Sequence, residues 1–350
     1  MARSKTYIAT PPGATIKEQL EYRGMSQREF ARRMDYSEKF ISQLINGQVE
    51  LTPNTAHRLE MVLGVPSAFW MNLEARYREK LLQVEDENSI EEDKQIARKF
   101  PYAQMAKLGW VEPTRSAAVK AVELRKFFEV VRLTLLNEDR LAPGIAYRRQ
   151  KETAESEYAL LAWAQKAKID ARGITTGKIN VGKLEECIPK LREFTSMDPA
   201  DFQPALVSML AECGIATVFL PHLEHTFLNG ATFYDGSKIV LALTLRGADA
   251  DKFWFSLFHE LAHVINGHIG RTTGTTEEEE RAADAFARDT LIPPEAYVQL
   301  VAGSKTCSSV ASFADEIGIA PGIVVGRLQK DGYLPYSQLN SLKVRYQFAE

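Results

Sequence analysis

Ser26-Gln27-Arg28-Glu29-Phe30-Ala31-Arg32-Arg33-Met34-Asp35-Tyr36-Ser37-Glu38-Lys39-Phe40-Ile41-Ser42-Gln43-Leu44-Ile45-Asn46-Gly47 reads as two short helices separated only by Asp35 and Tyr36. Gly24-Met25-Ser26 ends the preceding segment and offers Ser26 as an N-cap, a hydroxyl able to accept one of the amide hydrogens that a first helical turn leaves unpaired. Asn46-Gly47 closes the second helix. Phe30, Met34, Tyr36, Ile41 and Leu44 form an apolar wedge between the two, and Ala31 is small where the second helix must pass close to the first. Outward from this pair, Ile16 begins an earlier helix. Thr52-Pro53 supplies a cap and a proline at the first helical position for a helix running to Leu63-Gly64. Val65-Pro66 starts another, through Trp70 and Leu73 toward Leu82.

The second helix of the pair exposes Ser37, Glu38, Lys39, Ser42 and Gln43, short or amide side chains suited to base edges, in the order of a helix-turn-helix. Gln27 and Arg28, at the start of the supporting helix, are placed for phosphates. Glu38 either accepts from a cytosine or stays solvated. A small bundle used only for dimerisation or partner docking is the other reading of the same pattern. Residues 11–77 resemble the Xre/Cro-type repressors, and among them the HigA-like antitoxin repressors. The match is carried by Pro12-Gly13, Ser26 to Ala31, Ile41 to Gly47, Thr52 to Ala56, Leu59, Leu63-Gly64 and Phe69 to Leu73. The resemblance implies a DNA-binding regulator of the toxin–antitoxin type and operator DNA as partner. Asp35 departs from the family, which favours glycine for a left-handed turn. Aspartate tolerates that conformation less well, so an altered turn is expected.

Charge follows the same division. The chain of 350 residues carries a net charge of −3, yet residues 1–80 hold 12 Lys and Arg against 9 Asp and Glu, a balance of +3. A mildly basic N-terminal part beside an acidic remainder fits a nucleic-acid partner for that part alone, and so low a charge favours a homodimer reading a palindrome over a tight non-specific binder. With 45% apolar and 25% charged residues the composition is globular. Met1 to Pro12 lacks the apolar run of a secretory signal, and no stretch has the ~18 apolar residues of a membrane span. Cys187, Cys213 and Cys307 are scattered and odd in number, which argues for core thiols in a reducing, cytoplasmic setting and against a disulfide framework.

Residues 85–93 hold six acids and read as a solvated boundary. Helical spacing follows from Lys94 to about Glu193, interrupted at Ala171 to Asn180. The period then changes: Ala216 to Leu220 and Lys238 to Leu243 are strand candidates, with Gly230 to Tyr234 as a third, joined to the last through Asp235-Gly236. Helices return at Ala250 to Ile265 and from about Glu277 to Thr290.

His259-Glu260-Leu261-Ala262-His263 lies in the first of these. Residues four apart on a helix are about 40° apart in direction and one turn along, so both imidazoles can ligate one zinc ion (Zn2+). Glu260 then stands beside the metal, where a carboxylate can take a proton from water. A third ligand is required. Val264-Ile265-Asn266-Gly267-His268 misses the spacing of the metzincin histidine, and the acid run Glu277 to Glu280 blurs the register. Glu280-Arg281-Ala282-Ala283-Asp284 resembles the gluzincin arrangement, in which a glutamate ligates zinc and an aspartate orients a ligand histidine. Carried over by position, this makes Glu280 the third ligand and Asp284 the orienting group, with Glu279 as competitor. His222, His225 and Tyr234 are candidates for stabilising an oxyanion.

Leu206 to Tyr346 resembles the ImmA/IrrE family of zinc metallopeptidases. The matching stretches are Gly214-Ile215, Asn229-Gly230-Ala231, Phe255 to His263, Ala283 to Ala287 with Leu291-Ile292-Pro293, Gly318 to Leu328, and Leu334-Pro335-Tyr336. The resemblance implies a hydrolase that cleaves a partner regulator, a repressor or toxin-like protein encoded nearby. The expected fold is α+β and mostly helical: a helix-turn-helix domain over 1–82, a helical connecting region over 83–205 and a small mixed α/β, gluzincin-like metallopeptidase domain over 206–350. Two rivals remain: a non-catalytic repressor whose zinc domain is a sensor or docking platform, and a toxin-like peptidase held in check by its own N-terminal domain.

Overall fold

Ser26 Oγ accepts from the Glu29 amide at 3.1 Å and Ser37 Oγ from the Phe40 amide at 3.1 Å, so each hydroxyl starts a helix by satisfying one of its first-turn donors. The computed structural model describes residues 2–137, 154–224, 226, 229–244, 249–270 and 274–347. It divides into two units, Met1–Gln95 and Ile96–Glu350.

The first unit begins with a two-stranded antiparallel ribbon, β1 (Ala2–Arg3) and β2 (Ile8–Ala9), that the sequence pattern does not announce. Helices α1 (Gly13–Tyr22), α2 (Gln27–Met34), α3 (Glu38–Ile45), α4 (Pro53–Leu63) and α5 (Ser67–Ala97) follow. Ile16, Phe30, Met34, Ile41, Leu59 and Trp70 are buried in one core. Gly13 lets α1 start against the end of α3: a Cβ there would lie 2.0 Å from the Ile45 carbonyl oxygen. The acidic stretch 85–93 is not a linker but a continuous part of α5. Glu87 in it fastens the ribbon, accepting from the Thr6 amide at 2.9 Å and from the hydroxyls of Ser4 and Thr6.

The second unit carries α6 (Tyr102–Lys107), α7 (Ala117–Phe128), α8 (Ala154–Ala171), α9 (Val181–Glu193) and α10 (Pro199–Glu212), then strands β3 (Ile215–Leu220), β4 (Gly230–Asp235) and β5 (Lys238–Thr244). After these come α11 (Ala250–Ile265), α12 (Glu277–Leu291), α13 (Pro294–Ala302), α14 (Cys307–Ile317) and α15 (Pro321–Lys330). The sheet has the order β3-β5-β4, with β5 parallel to β3 and antiparallel to β4. The β4–β5 hairpin turns at Gly236 and Ser237, since Asp235 pairs with Lys238.

A boundary at 205/206 would cut through α10. Phe202, Leu206 and Leu210 from that helix share a core with Leu184 and Leu191 of α9, Leu241 of β5 and Trp254, Leu257 and Leu261 of α11. The stretch that the sequence sets apart as a connecting region over 83–205 is thus divided between α5 and the second unit, where α8 packs on β3 and β5 and the apolar faces of α9 and α10 join the core around α11. The class is α+β and mostly helical, as the periodicities predict. α11 is the centre of the second unit, apolar almost all round, and that is what makes polar side chains on it conspicuous.

Candidate functional site

His259 and His263 sit one turn apart on α11, and α12 lies alongside. Thr276 caps α12 by accepting from the Glu279 amide at 3.3 Å, and the Glu279 carboxylate accepts in return from the Thr276 amide at 2.8 Å. This capping box occupies Glu279 and sets the register of the acid run. Glu280, one residue on, turns toward the histidines. Its carboxylate oxygens lie 3.4 Å from His259 Nε2 and 3.5 Å from His263 Nε2, and the two Nε2 atoms are 3.1 Å apart. Ligands about 2.0–2.1 Å from one ion in tetrahedral array stand roughly 3.3 Å from one another. The three donors therefore have the spacing, as well as the chemistry, of a set that could hold one cation.

Each imidazole is oriented from behind. His259 Nδ1 meets Asp284 Oδ1 at 2.9 Å, and His263 Nδ1 meets His268 Nδ1 at 3.1 Å. A neutral imidazole that donates Nδ1–H to these partners turns its Nε2 lone pair to the cluster, the tautomer a metal ligand needs. His268, passed over in the sequence for its wrong ligand spacing, has this orienting contact. Thr275 holds Glu280 from its other side through a hydroxyl hydrogen bond.

The charges are strongly coupled. Burial opposes a charged His259, but its hydrogen bonds with Asp284 and Glu280 and the field of Glu260 outweigh that and push it up to about 10. Burial works against the Glu280 carboxylate too, and hydrogen bonds from His259, His263 and Thr275 still hold it well below the usual range. Asp284 is lowered chiefly by its hydrogen bond with His259. Glu260 goes the other way: burial raises it above its ordinary value despite the neighbouring histidines.

Glu260 lies under β4. Thr232 Oγ1 donates to its carboxylate, and Gly230 leaves it room, because a Cβ at that position would stand 2.8 Å from Glu260 Cγ. Nothing in the sequence singles out Thr232; a threonine in a strand has nothing to mark it until the strand is seen to cross α11. Of the other polar candidates, His222 is engaged with Thr226 Oγ1 at 3.3 Å, and Tyr234 is exposed at the end of β4 with its ring against Gly270. His225 lies outside the described residues.

In the first unit, Gln27, Arg28, Ser37, Glu38, Lys39 and Ser42 are exposed and Gln43 is half-buried. The Ser37 hydroxyl is taken up by its capping bond. Arg28 Nε and Glu38 Oε1 are 3.4 Å apart, so the start of α2 and the start of α3 present one paired charge to solvent. Asp35 adopts the left-handed conformation, φ 55° and ψ 47°, that glycine would have supplied. The turn is not altered, contrary to the expectation from the sequence. Arg58 on α4 secures it, donating to the Met34 carbonyl at 2.8 Å while its guanidinium lies 4.8 Å over the Tyr36 ring.

No single helix among the described residues is long and apolar enough to cross a membrane. Comparison with known proteins bears on the first unit. The helix-turn-helix family model matches residues 16–70. A 63-residue stretch is 40% identical to the uncharacterized HTH-type transcriptional regulator YddM of Escherichia coli (strain K12), an alignment covering 18% of this chain and 67% of that protein. The matched residues hold the two capped helices, the apolar wedge and the Asp35 turn, and through them the chain belongs to the helix-turn-helix family of transcriptional regulators.

Proposed function

We propose that this DNA-binding transcriptional regulator reads operator DNA as a homodimer through α3 and carries, in the same chain, a zinc-dependent endopeptidase that cleaves a partner regulator. Three donors from two helices, at tetrahedral spacing and each held from behind, carry this reading. His259, His263 and Glu280 would hold the metal, and their mixed nitrogen and carboxylate set fits zinc with one position left open. When bound, zinc supplies Lewis acidity, which polarises a carbonyl and makes water easier to deprotonate.

The remaining chemistry belongs to the chain. Glu260, next to His259 but not among the donors, takes the proton from the attacking water as general base, and Thr232 fixes its carboxylate. Asp284 and His268 keep the imidazoles in the ligating tautomer. The resemblance of residues 206–346 to the ImmA/IrrE family supports a protein substrate: a repressor of the helix-turn-helix type or a toxin-like protein encoded nearby.

The test is co-expression of wild type, Glu260→Gln and His259→Ala with the product of the adjacent gene and a promoter reporter. Wild type alone should give fragments of the partner and release the reporter. Equal regulation by all three, with no fragment, would make the second unit a sensor or docking platform and leave the chain a non-catalytic repressor.

A further inference from the structure

Two of the three cysteines take no part in either site, and they meet each other. Cys187 is half-buried on α9, Cys213 is buried at the end of α10, and their sulfurs are 4.0 Å apart. The two elements are tied on either side of the pair. The Asn180 amide donates to the Cys213 carbonyl at 3.0 Å, and the Gly177 amide to the Ala211 carbonyl at 2.8 Å. Lys183 and Glu212 are paired at 2.7 Å. At Gly214, with φ 87°, a Cβ would stand 2.5 Å from Ile179 Cα, so the segment before α9 and the turn after α10 are packed backbone to backbone. The thiols are held at a separation that an approach of roughly 2 Å converts into a bond of normal length.

We propose that Cys187 and Cys213 are a peroxide-oxidisable pair that closes into a reversible intrachain disulfide. The more accessible Cys187, as thiolate, attacks one oxygen of a peroxide. The O–O bond breaks, the leaving oxygen departs as water or alcohol after taking a proton, and Cys187 becomes a sulfenic acid. The Cys213 sulfur then attacks Cys187 Sγ and the S–O bond breaks. Hydroxide leaves with the Cys213 proton as a second water. Two thiols are oxidised by two electrons and one peroxide is reduced. Burial, together with Cys187 beside it, pushes the Cys213 thiol up to about 11, which suits it to the resolving role rather than the first attack. Exposed Cys307, on α14, is an internal comparison within the same molecule.

The experiment uses the full chain, reduced and then exposed to a small excess of hydrogen peroxide, with free thiols blocked by N-ethylmaleimide before digestion. A dithiothreitol-sensitive peptide linking Cys187 to Cys213, lighter by about 2 Da than the sum of its halves, is expected, with Cys307 carrying the maleimide. The oxidised protein should melt roughly a few degrees higher, since the bond ties α9 to the α10 end. In Cys213→Ala, dimedone should label Cys187. Maleimide on both Cys187 and Cys213 at a peroxide dose that oxidises Cys307 overturns the proposal, as does a cross-link that runs only through Cys307. The wild-type map decides the matter even if the variant folds poorly.

Discussion

Arg58 holds Asp35 in a left-handed turn: its Nη1 lies 3.3 Å from the Asp35 carbonyl oxygen and 3.2 Å from the carboxylate. The carboxylate is almost fully exposed, so its charge pairing contributes little. The backbone contacts matter more, because they secure a conformation that costs an L-residue roughly 1–2 kcal/mol. Asp35→Gly should therefore leave amide protection over α2 and α3 unchanged or higher in hydrogen exchange. Asp35→Val, β-branched at positive φ, should lower it by at least about 1 kcal/mol. Equal protection in the two variants would mean that the turn is not left-handed.

The Arg28–Glu38 pair predicts how the DNA face responds to charge. Arg28→Ala should weaken all sequences alike and reduce the salt slope by about one unit. Glu38→Gln releases Arg28 and removes a negative charge from the same surface, so it should tighten binding, most at low salt. Gln43→Ala should relax sequence preference without changing the slope. The measurement is a salt titration against the chain's own promoter and a scrambled duplex. A sequence-independent loss in Gln43→Ala would remove Gln43 from base reading.

What was legible in the sequence and what was not divide along physical lines. Ser26, Thr52 and the HExxH spacing act within a few residues of themselves, so the caps, the helices and the histidine pair could be read directly. The strands at 216–220 and 238–243 were visible because their β-branched runs are local as well. Thr232 beneath Glu260 and Arg58 across from Asp35 are contacts between elements, 28 and 23 residues apart in sequence, and no periodicity records them. The acid run Glu277 to Glu280 blurs the register in sequence, whereas in the fold the Thr276 capping box engages Glu279 and it is Glu280 that faces the histidines. A boundary at 205/206 falls inside α10, which buries its apolar face on residues far along the chain, a relation that no local period marks.

Zinc content should follow the three facing donors. His263→Ala and Glu280→Ala are each expected to lose most of the metal by elemental analysis of purified protein. Glu279→Ala should keep it, losing instead about 1 kcal/mol of helix capping. Thr275→Val and His268→Ala should weaken retention against a chelator by roughly 10- to 100-fold, the usual effect of removing a group that orients a ligand. Full occupancy in Glu280→Ala would take that residue out of the set.

Acid should act on the metal-free protein through Asp284. Its carboxyl is held below the ordinary value in the fold by His259, so the ionised form favours folding. That contribution is present above the unfolded value near 3.8 and is lost as pH falls through the lower, folded value. His259 has the opposite sense: raised from 6.5 to about 10, it stabilises below neutrality and its share is lost as pH rises through about 10. In chelator-treated protein the stability gap between wild type and Asp284→Asn should thus be widest between these limits. Urea melts across pH 3 to 10 would show it narrowing toward both ends, and a gap that widens toward acid would contradict the Asp284–His259 contact.

The strand over Glu260 governs both the position and the hydrogen bonding of its carboxylate. The Glu260 carboxylate is buried, its Cγ lies 2.8 Å from where a Cβ at Gly230 would stand, and Thr232 is its hydrogen-bond donor. Thr232→Val keeps the shape of the side chain and removes the donor, which leaves a buried carboxylate less well satisfied and raises its pKa further. Gly230→Ala keeps the donor and displaces the carboxylate by contact. Neither residue belongs to the donor set, so both variants should hold zinc as wild type does. A general base contributes on the order of 10²- to 10⁴-fold in rate, and under the proposed mechanism a Glu260 carboxylate moved or neutralised should lose a large part of it. The two routes to that loss are distinguishable. Thr232→Val should shift the acid limb of the cleavage profile toward higher pH and recover as the pH is raised, because deprotonation restores the base. Gly230→Ala should stay low at every pH, because its fault is one of position. Should Thr232→Val cleave the partner with the wild-type profile, Glu260 is not the group that accepts the proton.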